Sequence, residues 1–212
     1  MKLGFLERLY VNGPVRNHLQ RPLEFWLMRH IAPIPTQAHV LEVGCGTGSG
    51  LAYLARHNNP ASVTGIDVDL AQITLARRRL GTLSIPYNLI PASAESIPLP
   101  AHTYDVVLSM GCLHHVPNWQ RAVAECARLM RSGGLFYVLE FYSPFLHLPL
   151  VRTLLPHPDK RFTAAELAAE LAMHGFTPLG TSPKPTNPFK RWLGTYASLS
   201  VNRLIIHDSQ YD

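Results

Sequence analysis

The 212-residue sequence has few cysteines, few charged residues and no long uninterrupted apolar run. Its three cysteines, Cys45, Cys112 and Cys126, are odd in number and lack the spacing of metal ligands, which predicts free thiols in a reducing compartment. The most apolar stretch, residues 135–151, is interrupted by Glu140 and by prolines, whereas a membrane-spanning helix needs about 20 largely apolar residues. The first residues show no signal-peptide pattern. We therefore expect a cytoplasmic protein without a metal site or a membrane span.

Charged residues of either sign are sparse, at 16% of the chain, and the apolar fraction of 47% excludes intrinsic disorder. The 19 Lys and Arg residues exceed the 14 Asp and Glu residues, and the net charge of +5 is by itself compatible with nucleic-acid binding. The basic residues are scattered, however, and the densest cluster, residues 77–79, falls in a helical pattern. We therefore interpret that cluster as a solvated helix face and expect no nucleic-acid partner.

Short β-branched runs alternate with helical patterns over residues 40–141. The predicted strands cover residues 40–43, 62–67, 87–91, 104–110 and 135–141. The predicted helices cover residues 50–57, a segment that Asp69 can cap and a segment that Asn118 can cap. Residues 132–134 are predicted to turn the chain into the fifth strand. Strands separated by helices pair in parallel through right-handed crossovers, so the pattern predicts a doubly wound α/β sheet.

The pattern changes on both sides of this region. Residues 163–166 form a capping box that predicts a helix ending at Gly175, and strands are predicted over 176–181 and 195–206. The first 39 residues predict one or two amphipathic helices. No domain boundary is evident, so we expect one domain over residues 1–212.

Glycines follow the first predicted strand at every second position. Gly44, Gly46 and Gly48 form a Gly-x-Gly-x-Gly sequence, with Glu42 two residues before it. A dinucleotide-binding loop has the spacing Gly-x-Gly-x-x-Gly, which neither register fits. An acid at this point attracts the cationic end of a ligand and repels a pyrophosphate. The spacing therefore disfavours an NAD-dependent oxidoreductase.

A second acid, Asp67, ends the second predicted strand, 21 residues after Gly46. A carboxylate at this edge of a doubly wound sheet faces the crevice that binds ligands and can accept hydrogen bonds from both ribose hydroxyls. Val68 follows it and can pack against the face of an adenine ring. Asp69 is the better candidate for the helix cap, which leaves Asp67 for a ligand.

These motifs occur in the order typical of one enzyme family. They cover residues 40–48, 65–69, 93–98, 104–116 and 129–134. The ordered set resembles the class I S-adenosylmethionine-dependent methyltransferases, in particular the family that includes the ubiquinone and menaquinone biosynthesis enzymes. The resemblance implies a Rossmann-like seven-stranded sheet whose last strand is antiparallel, with residues 1–39 as a helical N-terminal cap. It also divides the single domain into a cofactor-binding half, residues 40–141, and a substrate-side insert with C-terminal strands, residues 142–212.

The resemblance implies that S-adenosylmethionine is the cofactor and assigns contacts to it. Glu42 and the loop of Gly44, Cys45, Gly46 and Gly48 would hold the methionine end, Asp67 the ribose, and Val68 one face of the adenine. Ala94 and Glu95 would lie beside the adenine edge, Ser109 would offer its carbonyl to the cofactor ammonium, and Met110 would line the crevice. Position 93 departs from the family, which commonly has Asp there. Ser93 can therefore reach the adenine amino group only weakly.

Two histidines, His114 and His115, follow the fourth predicted strand where the methyl group would be presented. Methyl transfer from a sulfonium needs a base only when the acceptor must lose a proton, and imidazole titrates near neutrality. Both histidines are therefore candidate catalytic residues, with a purely structural role as the alternative for either one. Glu140 and Tyr142 are weaker candidates at the end of the fifth strand, and the alternative role for Glu140 is that of a structural hydrogen-bond acceptor.

The segment after the fourth predicted strand also indicates the kind of methyl acceptor. The Asn/Asp-Pro-Pro-aromatic sequence of adenine- and cytosine-modifying enzymes does not occur after the fourth strand, and the Leu-His-His string resembles members that act on small molecules and lipids. We expect a small, apolar acceptor such as a quinol, phenol, amine or lipid. Residues 142–161, with Phe5, Tyr10 and Trp26, are predicted to form an apolar lid that can touch a membrane surface transiently. The alternative is ordinary packing of a terminal helix on the core. The alternatives are a non-catalytic S-adenosylmethionine-binding module with a regulatory or scaffold role, and an NAD-dependent oxidoreductase.

Overall fold

The computed structural model describes Gly13 and residues 20–143, 162–182 and 197–206. The predicted lid lies largely outside these residues: Phe5, Tyr10 and residues 144–161 are not described, and of its named aromatic residues only Trp26 is. Trp26 is about half exposed and its ring lies 4.0 Å from that of His30.

Seven strands form one sheet in the order β3-β2-β1-β4-β5-β7-β6. They are β1 (His39–Val43), β2 (Ser62–Asp67), β3 (Tyr87–Pro91), β4 (Tyr104–Met110), β5 (Met130–Phe141), β6 (Phe176–Ser182) and β7 (Ala197–Leu204). Strands β1 to β5 pair in parallel, and β7 is antiparallel to both β5 and β6. The predicted doubly wound sheet with an antiparallel last strand is confirmed.

Five α-helices are described: α1 (Arg21–Ile31), α2 (Ser49–His57), α3 (Leu70–Leu80), α4 (Trp119–Leu129) and α5 (Ala164–Met173). The predicted N-caps are confirmed, because side-chain oxygens of Asp69 and Asn118 accept from the amides of Ala71 and Arg121. The capping box at the start of α5 is also formed, between Thr163 and Glu166 in both directions.

The start of β5 differs from the prediction. The predicted turn at residues 132–134 lies within the strand, which begins at Met130 and contains a bulge. Met130 pairs with Tyr104, and the next pair joins Leu135 to Val106. Gly133, with φ of +81°, permits this interruption, so the Gly-Gly pair marks a bulge and not a strand boundary.

Two apolar layers cover the two faces of the sheet. Helices α1, α2 and α3 pack on one face, and α4 and α5 pack on the other. Side chains alternate between the faces along each strand. On β1 this alternation places Glu42 on the face of Val40, towards α1 and α2, whereas on β5 it places Glu140 on the face of Val138, towards α4. Two fully buried carboxylates thus lie on opposite faces near the carboxyl edge of the parallel strands.

Candidate functional site

The glycine loop turns the chain from β1 into α2 at the carboxyl edge of the sheet. Gly44 has a φ of +70°, and a Cβ there would lie 2.5 Å from Sγ of Cys112. At Gly50 a Cβ would lie 2.6 Å from Oε1 of Glu42. The loop therefore packs directly against the segment after β4 and leaves room for the Glu42 carboxylate.

Asp67 is joined to the glycine loop by a hydrogen bond. The amide of Gly46 donates to Oδ2 of Asp67 at 2.9 Å, and the amide of Asp69 donates to Oδ1 at 2.9 Å. Burial raises the pKa of Asp67 above its usual value, and the two backbone hydrogen bonds partly oppose that rise. Val68 is 48% exposed beside this carboxylate. The predicted ribose- and adenine-contacting residues are thus next to the loop predicted to hold the methionine end.

Arg21 also contacts Glu42 on this side of the site, a contact that was not predicted from the sequence. Its guanidinium is buried, with Nη2 3.5 Å from Oε1 of Glu42 and Nη1 3.1 Å from Oε2 of Glu24. Its Nε donates to Oγ of Ser49 at the start of α2, at 3.2 Å. An arginine in an amphipathic helix carries no spacing signal for such a contact. The only clue was the need for a cation beside a buried strand carboxylate.

The segment after β3 holds the three residues predicted beside the adenine. The hydroxyl of Ser93 accepts from the amide of Glu95 at 3.2 Å, and Oε1 of Glu95 accepts from the amide of Asn118 at 3.1 Å. Ala94 is buried. The polar groups of Ser93 and Glu95 thus also shape the turn and the start of α4, and their contact with adenine stays a prediction.

Glu140 organises the segment after β4. Its Oε1 accepts from the amides of Cys112 and Leu113 at 3.0 and 2.8 Å and lies 3.4 Å from Oγ of Ser109. Its Oε2 lies 2.5 Å from Nδ1 of His114. A carboxylate only accepts hydrogen bonds, so this contact assigns the proton to Nδ1 of His114. The weaker sequence candidate Glu140 therefore contacts the stronger candidate directly.

The two candidate histidines differ in their surroundings. His114 and His115 belong to a short 3₁₀ turn, Leu113–His115, and are 5% and 8% exposed. Their rings lie 4.2 Å apart. The contact with the Glu140 carboxylate sets the tautomer of His114. Ser109 and Met110, at the end of β4, are buried, and their cofactor contacts stay predictions.

The thiols near the loop are poor nucleophiles. Burial, followed by the charges of Glu42 and Asp67, raises the pKa of Cys45 well above its usual value. Burial and the charge of Glu140 raise the pKa of Cys112 in the same way. Among the described residues no group of three or more His, Cys, Asp and Glu side chains is placed to hold a metal ion. Within the same residues no helix is both long enough and apolar enough to cross a bilayer.

Known proteins resemble the part of the chain that contains the candidate site. Residues 41–138 match the family model described as a methyltransferase domain. This segment contains the glycine loop, Asp67, Glu95 and both histidines.

Two curated relatives are identical to the chain at about two fifths of the positions in an aligned segment of 97 residues. Phthiotriol/phenolphthiotriol dimycocerosates methyltransferase of Mycobacterium tuberculosis is 39% identical over 97 residues, which is 46% of this chain and 35% of the relative. Fatty-acid O-methyltransferase of Mycolicibacterium smegmatis is 38% identical over 97 residues, again 46% of this chain and 35% of the relative. The matched segment thus spans about a third of the length of these relatives.

A solved structure shows the same fold over most of the chain. Geranyl diphosphate C-methyltransferase of Streptomyces coelicolor, solved with Mg²⁺, geranyl diphosphate and S-adenosyl-L-homocysteine, has a TM-score of 0.71 and 14% identity. The match covers 88% of this chain and 80% of that one. At this identity the likeness supports the fold alone. The narrower resemblance to ubiquinone and menaquinone biosynthesis enzymes stays a prediction.

Proposed function

We propose that this chain, whose residues 41–138 match the methyltransferase-domain family model, is an S-adenosylmethionine-dependent methyltransferase that transfers a methyl group to a small, apolar acceptor. S-adenosylmethionine supplies a sulfonium methyl that is already activated towards an O, N, S or C nucleophile. The observation that carries the proposal is the hydrogen bond between the glycine loop and the Asp67 carboxylate, because it joins the two predicted binding elements at one edge of the sheet.

The residues at this edge fit the cofactor from end to end. Glu42 lies beside the glycine loop, and its carboxylate suits a ligand ammonium. Gly44 offers backbone without a side chain, and Asp67 carries a carboxylate suited to two ribose hydroxyls. The half-exposed Val68 suits one face of the adenine. Arg21 keeps the buried Glu42 in place through their ion pair.

Catalysis by this chain rests first on holding the acceptor in line with the methyl group, an effect of about 7–11 kcal/mol for well-aligned reactants. An acceptor that must lose a proton also needs a base. We assign that role to Nε2 of His114. The contact of Nδ1 with Glu140 keeps the ring proton on Nδ1, so Nε2 is the nitrogen that can accept a proton. His115 packs against this ring and is assigned a supporting role.

Two observations support an apolar acceptor. The ring of Phe141 meets the ring of His114 edge-on, with centroids 5.8 Å apart, so an apolar group adjoins the proposed base. One relative is named as a fatty-acid O-methyltransferase. A fatty acid is ionised at neutral pH and needs no base, whereas a phenol or quinol has a pKa of about 10 and does.

The test is methyl transfer from labelled S-adenosylmethionine to a panel of fatty acids, phenols, quinols and amines. We expect product from at least one acceptor, and His114→Gln is expected to lower the rate with phenols and quinols about a hundredfold while sparing fatty acids. His115→Gln is the matched control. Tight S-adenosylhomocysteine binding without any product would instead favour the non-catalytic binding module. NADH binding without adenosyl-ligand binding would favour the oxidoreductase.

A further inference from the structure

An open pocket lies beside the glycine loop, and Thr47 is the one residue of that loop in its lining. Its volume is about 430 Å³, within the range of about 300–1,000 Å³ that is typical of ligand sites. We call it the arginine pocket, and it is lined by Thr47, Arg56, Leu75, Arg78, Arg79 and Thr82.

The fold builds this pocket from two helix ends. Leu75, Arg78, Arg79 and Thr82 are spaced i, i+3, i+4 and i+7, so they share one face of α3 and the turn that follows it. Arg56 comes from the last turn of α2. Arg77 and Arg78 are exposed, as the interpretation of residues 77–79 as a solvated helix face predicted, whereas Arg79 is only partly exposed. Arg78 and Arg79 also line this open pocket.

Arg79 is held in a fixed position within the pocket. Its Nη1 donates to the carbonyl oxygen of Thr47 at 3.1 Å and to the Thr47 hydroxyl at 2.6 Å. Burial, followed by repulsion from Arg56 and Arg21, lowers the pKa of Arg79. Arg56 therefore lies close enough for the two cations to repel each other.

The charge of the pocket is not balanced by nearby acids. In the described parts of the chain no acidic side chain forms an ion pair with Arg56, Arg78 or Arg79, and none lines the pocket. Basic residues in a last helical turn are favoured by the helix dipole, whose negative end amounts to about half an elementary charge. Three guanidinium groups exceed the combined charge of two such ends, so the pocket attracts an anion.

We propose that the arginine pocket binds a phosphate group carried by an organic ligand. Guanidinium groups match phosphate oxygens in geometry as well as in charge, and the Thr47 and Thr82 hydroxyls add polar groups to the lining. The side chain of Leu75, 39% exposed, gives the pocket one apolar wall for the organic part. The ligand is either a soluble phosphorylated molecule or the headgroup of a phospholipid, since both present the same phosphate.

The experiment compares two full-length variants of equal charge change. Arg56→Gln/Arg78→Gln removes two exposed pocket arginines and spares Arg79, which contacts the glycine loop. The control, Arg56→Gln/Arg77→Gln, retains Arg78, because Arg77 lies on the same helix outside the pocket. Binding of pyrophosphate is measured by calorimetry, and binding to phosphatidylcholine vesicles with and without phosphatidylglycerol is measured by sedimentation.

We expect one probe to bind the wild type, and the pocket variant to weaken that binding at least about tenfold more than the control does. Pyrophosphate binding identifies a soluble ligand, and binding only to the phosphatidylglycerol vesicles identifies a lipid. Failure of both probes, or equal loss in the two variants, overturns the proposal, as does tighter binding of an RNA oligonucleotide than of either probe. S-adenosylhomocysteine is titrated in parallel and should bind all three proteins equally, so a failure of this pocket is distinguished from a failure of the proposed cofactor site.

Discussion

Two buried carboxylates, Glu42 and Glu140, stand near the same edge of the sheet and are compensated in different ways. Glu42, on the face covered by α1 and α2, pairs with the permanent cation of Arg21. Glu140, on the other face, accepts from two backbone amides and contacts the titratable ring of His114. Both side chains are fully buried.

We propose that this difference separates binding from proton transfer. An arginine keeps its positive charge across the working pH range, which suits a fixed binding element. An imidazole changes its charge near neutrality, which suits a group that must take up and release a proton. We therefore expect disruption of the Glu42 side to affect folding and cofactor affinity, and disruption of the Glu140 side to affect turnover.

The largest effect is expected from Arg21→Met. This substitution removes the guanidinium that contacts the buried carboxylates of Glu42 and Glu24, and loss of one partner of a buried ion pair costs about 3–5 kcal/mol. The free energy of unfolding in urea measures it. The control is Arg29→Met on the same helix. The Arg29 guanidinium is exposed and, among the described residues, contacts Tyr53, so the expected cost is about 1 kcal/mol or less. Equal costs for the two variants would contradict the role of Arg21.

Glu140→Gln is expected to affect turnover and spare binding. The glutamine oxygen can still accept from the Cys112 and Leu113 amides, but its amino group cannot accept the proton of His114 Nδ1. With a phenol or quinol acceptor kcat should fall about a hundredfold, while KM for S-adenosylmethionine stays unchanged.

Glu42→Gln is the counterpart of Glu140→Gln, because it should raise the KM for S-adenosylmethionine and leave kcat unchanged. The proposed division between the two carboxylates fails if Glu140→Gln instead raises KM, or if it lowers the rate equally with an ionised fatty acid.

The pH dependence of cofactor affinity should follow Asp67. Because burial raises the pKa of this carboxyl, it takes up a proton at a pH above its usual 3.8. The acid form accepts hydrogen bonds from ribose hydroxyls less well, so S-adenosylhomocysteine affinity should fall by up to about tenfold as the pH is lowered through that pKa. Calorimetric titrations across pH measure this, and Asp67→Asn should remove the dependence. An identical pH profile in that variant would assign the effect to another group.

The smallest effect is expected from Cys112→Ala. Its thiol has a pKa raised well above the usual value and is therefore not a thiolate near neutrality. Turnover should change by less than about twofold, measured with the preferred acceptor. A loss of a hundredfold would identify a catalytic thiol and contradict the role given to His114.

Much of the fold could be predicted because its strands are separated by capped helices. Asp69, Asn118 and Thr163 mark helix starts by local chemistry that the sequence displays directly. The bulge in β5 could not be predicted in this way, because a Gly-Gly pair permits a turn and a bulge equally well.

The candidate site likewise contains contacts that the sequence predicted and contacts that it did not. Asp67 and the glycine loop are adjacent in the structure, as the order of strands along the chain predicted. Arg21 contacts Glu42, 21 residues away along the chain, and Glu140 contacts His114, 26 residues away. Each pair meets only once the helix and strands are packed. No local pattern encodes such a contact, so a carboxylate ranked below the histidines proved to be the residue that orients one of them.

Calorimetric titration of S-adenosylhomocysteine into the wild type and Asp67→Ala, with NADH in parallel, is the decisive test of the proposed cofactor site. We expect the wild type to bind S-adenosylhomocysteine and not NADH, and Asp67→Ala to remain folded and to bind at least about tenfold more weakly. Equal affinity in the two proteins, or no binding to the wild type, would contradict the assignment of this edge of the sheet to the cofactor.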